Sequence, residues 1–387
     1  MKLSLWTLSA TWALPIFAAA LVRRLGRPSR ARQLAIFLAV LSTLLAVFVF
    51  VAAHLEHAFV RVDAPLVPAL GPLRYHLAVD GLGAVLLPLT AALSLGALWA
   101  LPRAQVHGAS AADLLLISGC TQGVIVSMDL GLLTIFFCLS LVPFWSAVRA
   151  LPGVPLRRLF LTVAWGCAVP LLGATAAIAV FGIEAGMPAP LDLPALGQLQ
   201  HSQALPPLLG ALILLAALLR MGLFPLHAWL PAAMECGSTP GVFATLAAPL
   251  GSFLTARVVL PLFPELCARA AWVLLPLAVC SAVYGALLSS AQHDVRRMLG
   301  FFRISQAGFV VAGVVTMSAA SVSGALLHAM VTIMATSGLL LLASALHART
   351  GTTDLRRLGG LVRQLPQMAT GCLLLSAAAV GFPATMG

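Results

Sequence analysis

The sequence predicts an all-α protein, a polytopic bundle of about twelve transmembrane helices. Three observations predict it. First, of 387 residues 61% are hydrophobic and only 9% charged, with mean hydropathy +1.05; soluble domains carry about a quarter charged residues, which excludes that class. Second, the apolar residues fall in runs of about twenty, the length a helix needs to cross the hydrocarbon core. Third, the arginines gather in alternate loops, the asymmetry that orients membrane proteins.

Taken in order, the runs lie near 4–22, 34–53, 79–101, 111–127, 131–148, 159–181, 206–229, 240–262, 270–290, 299–317, 322–347 and 367–386. The first follows Lys2 and precedes Arg23 and Arg24, and it reads as a retained helix; Ala18–Ala20 leave a cleaved signal as the alternative. No long polar insertion or low-complexity linker separates the runs, so residues 1–387 read as one membrane domain. With loops 23–33, 102–110, 149–158, 230–239, 291–298 and 348–366 in the cytoplasm, about fifteen basic residues face inward against about four outward. That count predicts the N-terminus outside the cytoplasm. The net charge of +11 therefore points to anionic lipid and not to nucleic acid.

Cys120, Cys138, Cys167, Cys236, Cys267, Cys280 and Cys372 are scattered, form no CxxC pair, and read as small apolar side chains. No metal-ligand spacing and no flavin, haem or iron–sulfur signature is present, so no cofactor and no catalytic centre is expected.

The seventh run carries the most information. Arg220 sits inside it, and Pro225 follows five residues later. Proline removes a backbone donor and clashes with the preceding turn, which predicts a break. A broken helix at membrane depth is tolerated where protein buries it or where it lines a cavity. A charge beside such a break marks a candidate functional site. The alternative is a simple kink, with Arg220 reaching toward the headgroups. His227, two residues past the proline, can relay protons near neutral pH or tie the break to a neighbour.

The words FPLHAWLP, containing Pro225, His227, Trp229 and Pro231, and then GSTPGVF, containing Pro240, resemble the antiporter-like proton-channel subunits. That family serves respiratory complex I, multi-subunit cation/proton antiporters and membrane-bound hydrogenases. AQHDVRRMLGFFRISQAG at 291–308 is similar to a second family motif, matched at Gln292, Asp294, Arg297, Ile304, Ser305, Gln306 and Gly308. The likeness covers roughly residues 70–387 and is densest at 220–240 and 291–308.

The resemblance implies two inverted five-helix units, a broken helix 7 and the start of a broken helix 12. It also implies ion-path positions, several of them altered here. Arg220 stands where the family has a lysine, Cys138 where it has a glutamate, Arg296 where it has a lysine and Arg303 where it has a serine. Leu246 and Ser252 occupy positions that can titrate in the family. His328 matches a family histidine, whereas Thr332 and Thr336 stand at two further titratable positions. Guanidinium stays charged in proteins, so Arg220 cannot alternate between protonation states as a buried lysine can. Asp80, in a DGLG stretch, can complement a helix start or handle an ion. Asp294 beside Arg296 and Arg297 can form an interfacial cluster that fixes a helix end. GCLLLSAAAVGFPATMG is similar to the family's twelfth helix up to its break, so a C-terminally truncated chain is expected.

The function implied is a non-redox membrane subunit of an NADH-quinone oxidoreductase-like or cation/proton antiporter-like complex, contributing a proton or cation path. Its partners would be other membrane subunits and the lipid bilayer, in the cell's inner (plasma) membrane. The alternative is a non-conducting scaffold, or the membrane partner of a soluble subunit in a setting such as inorganic carbon uptake.

Overall fold

The computed structural model describes residues 5–25, 28–56, 60–64, 73–100, 108–149, 154–202, 205–235, 245–246 and 249–382. The chain opens with α1 (Leu5–Arg24) and α2 (Pro28–Glu56), then a two-stranded antiparallel hairpin, β1 (Val60–Ala64) and β2 (Tyr75–Val79). There follow α3 (Gly81–Ala100), α4 (Gly108–Val126), α5 (Leu130–Leu139), α6 (Leu141–Arg149) and α7 (Val154–Glu184). Next come α8 (Leu193–Ser202), α9 (Pro207–Met221), α10 (Trp229–Glu235) and α11 (Pro249–Leu262). The chain continues through α12 (Pro264–Ser290), α13 (Val295–Val315), α14 (Ala319–Thr350) and α15 (Pro366–Val380).

Among the described residues, seven helices are long and apolar enough to span a bilayer, and five shorter apolar helices accompany them. Large apolar side chains such as Trp165 (64% exposed), Trp272 (79%) and Leu373 (71%) point away from the protein. In water such a surface would drive aggregation; facing lipid tails, it costs nothing. Between helices the contacts rely on small residues, because lipid supplies no hydrophobic drive for helices to associate. A Cβ on Gly308 would lie 2.4 Å from the Ala278 carbonyl, and one on Gly285 would lie 2.4 Å from the Ser305 nitrogen. These two glycines let the α12 and α13 backbones touch.

The structure departs from the sequence reading at three places. The hairpin interrupts an otherwise helical chain. In β2, Leu77, Ala78 and Val79 are buried, and the strand's apolar run is too short to span a bilayer. The outward connection after α7 contains the helix α8. The fifth run, read as one span, is two helices. Pro143 has no N–H to donate back to Leu139, and the helix is interrupted at Ser140.

Candidate functional site: buried arginines along a broken helix

The seventh span breaks three residues before its proline. Helix α9 stops at Met221 because Gly222 adopts a left-handed conformation (φ 72°, ψ 39°), and its N–H closes onto the Leu218 and Leu219 carbonyls. Residues 224–228 form turns, and α10 begins at Trp229. Other elements meet the backbone groups freed by the break. Trp229, 1% exposed, donates its indole N–H to the Leu219 carbonyl at 2.9 Å. The Phe224 N–H donates to Ser281 Oγ at 3.0 Å. His227 Nε2 lies 3.2 Å from the Tyr284 hydroxyl, and its ring stacks on Phe224. Pro231 is pressed against Gly300, where a Cβ would come within 2.5 Å of the proline Cα. Protein groups thus meet the freed backbone, and Gly222, Leu223 and Trp229 are buried, whereas Pro225 and Ala228 within the break are exposed. Pro240 lies outside the described residues.

Arg220 is in the last turn of α9, 2% exposed. Its Nη2 donates to Ser140 Oγ at 2.7 Å, and its guanidinium carbon stands 5.2 Å from the centre of the Phe137 ring. The Ser140 hydroxyl in turn donates to the Phe137 carbonyl at 2.6 Å, so its lone pairs remain available to the cation. The interruption between α5 and α6 thus delivers the hydroxyl that receives Arg220.

Two further arginines are buried. Arg257 lies in the one-turn π-helical stretch of α11, Thr255–Val259. Such insertions re-aim side chains and recur at functional sites. Arg257 Nη1 is 3.3 Å from Asp80 Oδ1 and 3.2 Å from the Ile125 carbonyl. Asp80 also accepts the Gly83 N–H at 2.7 Å. It therefore caps α3 and pairs with a cation 177 residues away. Arg303, on α13 and 6% exposed, donates from Nη1 to Thr332 Oγ1 at 3.3 Å.

Next to Arg303, Gln306 Oε1 and His328 Nε2 are 2.7 Å apart. Thr332 donates to the His328 carbonyl at 2.9 Å, and Thr336 donates to the Thr332 carbonyl. Gln306, His328, Thr332 and Arg303 are thus one connected group at the α13–α14 contact. Asp294 and Arg297 lie elsewhere, at the end of α13. Asp294 accepts the Arg296 N–H at 2.8 Å, the Arg297 N–H at 3.1 Å and the Thr353 hydroxyl, while Arg297 is 3.8 Å from Glu235. That is the helix-end cluster.

One polar group has no counterpart in the sequence reading. His76 on β2 is 1% exposed and bonds through Nδ1 to Asp192. Asp129, fully buried, caps α5 by accepting the Leu132 N–H at 3.0 Å and accepts the Arg74 N–H at 3.1 Å. Burial pushes the Asp129 carboxyl above the usual carboxylate range, against those hydrogen bonds. The one available signal was a histidine inside the apolar run YHLAV.

Known proteins resemble this chain along most of its length. The description of the transmembrane family of NADH:quinone oxidoreductase and Mrp antiporters matches residues 159–387. NADH-quinone oxidoreductase subunit 13 of Thermus thermophilus is 34% identical over 382 residues, spanning 97% of this chain and 78% of the relative. Subunit M from Pseudomonas aeruginosa is 28% identical over 324 residues, spanning 80% of this chain and 64% of the relative. Among solved structures, a chain of respiratory complex I from Thermus thermophilus with bound NADH superimposes with a TM-score of 0.85 at 30% identity, over 97% of this chain and 79% of that one. A chain of the Mrp complex from Dietzia sp. has a TM-score of 0.82 at 23% identity, over 97% of this chain and 42% of that one, and is alike in fold.

Proposed function

This chain belongs to the NADH:quinone oxidoreductase/Mrp antiporter transmembrane family, and from that premise we propose that it contributes a proton or cation path to a multi-subunit membrane complex. It is a multi-pass membrane protein, and its relatives are subunits of larger assemblies. In this reading its partners are other membrane subunits and lipid, in the cell's inner membrane with the N-terminus outside the cytoplasm. Two inverted five-helix units would place the path between them, near the midplane. The alternatives, a non-conducting scaffold or the membrane partner of a soluble subunit, are not favoured by relatives that are NADH-quinone oxidoreductase subunits.

The observation that carries the proposal is the broken seventh span with Arg220 buried beside the break and held by Ser140. A permanent cation there sets the potential along a path without carrying the proton itself. Proton transfer then falls to His227 and His328, with Thr332, Thr336 and water as hydrogen-bonding groups that hold no charge. The complex is reconstituted in vesicles, and proton movement is followed with Arg220→Lys and Arg220→Ala. Arg220→Ala is expected to slow or uncouple transport, and Arg220→Lys to shift its pH dependence. Proton movement identical to wild type in both variants would remove Arg220 from the path.

A further inference from the structure

Three arginines are buried in the span region, yet one of them alone, Arg257, meets a carboxylate among the described residues. The chain has eleven Asp and Glu residues in all, and none falls between residues 236 and 264 or between 295 and 353. A buried cation with no counter-charge costs several kcal/mol. Arg220 is partly compensated by Ser140, the Phe137 ring and the carbonyl end of α9. Arg303 is less well served, because its hydrogen bond among the described residues is the long one to Thr332. Its Nε is fully buried and meets no hydrogen-bond partner among them.

Arg303 lines a small internal cavity together with Ser252, Gln306 and Thr332. Met221, the last residue of α9, Pro249 and Ala329 form part of its apolar wall. The space has room for about one water-sized particle. Gln306 uses its amide oxygen toward His328, which leaves two amide N–H donors. The Thr332 hydroxyl donates to a backbone carbonyl, as does the Ser252 hydroxyl at 2.9 Å from the Pro249 oxygen. The charged and donor-rich side of the cavity is therefore the guanidinium and the Gln306 amide, and among the described residues no carboxylate lines it.

We propose that this cavity is a binding site for one small monovalent anion of the halide class, held by the Arg303 guanidinium and the Gln306 amide. The ligand's charge follows from the uncompensated cation and its size from the enclosure. Water satisfies the donors but leaves the charge uncompensated; a halide satisfies the donors and balances the charge. Gln306 also lines an open groove with His328, between α12, α13 and the end of α15. Exchange of the anion would run past that pair. The proposal stands whether or not the chain conducts protons.

The test uses the purified complex that carries the chain. Binding of radiolabelled chloride is measured at equilibrium, and thermal stability is compared in potassium chloride and potassium gluconate at equal ionic strength. Wild type is expected to be more stable in chloride and to bind about one chloride more per complex than the variant does. Arg303→Met is expected to abolish both differences. Arg303→Ser, a smaller side chain, guards against a misfolded first variant and is expected to behave the same way. Gln306→Leu should weaken chloride binding by about tenfold while leaving some chloride stabilisation. Equal stability of wild type in the two salts, or chloride binding unchanged in folded Arg303→Met or Arg303→Ser, overturns the proposal and leaves the cavity as a water site.

Discussion

Replacing Asp80 by asparagine isolates the ion pair that joins the start of α3 to α11. Removing one partner of a fully buried pair costs about 3–5 kcal/mol, because the other charge is stranded. The cost here is smaller. The Asp80 side chain is 27% exposed, the contact is 3.3 Å long, and Arg257 keeps the Ile125 carbonyl at 3.2 Å and the Phe253 ring at 5.1 Å. About 2 kcal/mol is expected for Asp80→Asn. Asparagine still offers an oxygen to the Gly83 N–H, so the cap of α3 survives. Asp80→Ala removes the cap as well and adds about 1 kcal/mol. Because membrane complexes unfold irreversibly, the measurement is the half-life of the folded complex in detergent at a fixed temperature. At tenfold per 1.4 kcal/mol, Asp80→Asn shortens it by up to about thirtyfold. In an Arg257→Met background the same substitution should cost almost nothing, since no charge is left stranded. An equal loss in both backgrounds would show that Asp80 acts through something other than Arg257.

Gly222→Ala places a Cβ on a left-handed residue and 3.1 Å from Leu230; a loss of about 1–2 kcal/mol in stability is expected, read as a lower melting temperature. Gly300→Ala drives a Cβ to 2.5 Å from the Pro231 backbone, so α10 must move away from α13; cross-linking between cysteines placed on those helices should fall, with a loss of about 1–3 kcal/mol. In the loop after α14, the Arg356 side chain holds the Asp354 carboxyl well below the usual carboxylate range, at about 2. A depressed carboxyl contributes stability above its unfolded value and loses it as pH falls through the folded one. Protection of the amides over residues 352–358, corrected for the intrinsic pH dependence of exchange, should therefore stay constant down to about pH 4 and fall as pH drops toward 2.

The class, the number of apolar segments and the family could be read from residue order alone. Apolar runs of helix-spanning length leave no other fold, and the motifs at 220–240 and 291–308 are visible as strings of residues. Residue order also marked Arg220, because a charge inside an apolar run stands out wherever its partner lies. What it could not supply were the partners. Asp80 meets Arg257 across 177 positions, Ser140 meets Arg220 across 80, and His76 meets Asp192 across 116. A side-chain contact between distant helices is set by the rotation and depth of each, and those are fixed by steric fit at residues such as Gly285, Gly300 and Gly308. The exact break point was also beyond its reach. Pro225 announced a break, but the helix stops where Gly222 can turn left-handed and Trp229 can reach back to the Leu219 carbonyl. The buried charge is a property of the chain; the environment that holds it exists only once the helices have packed.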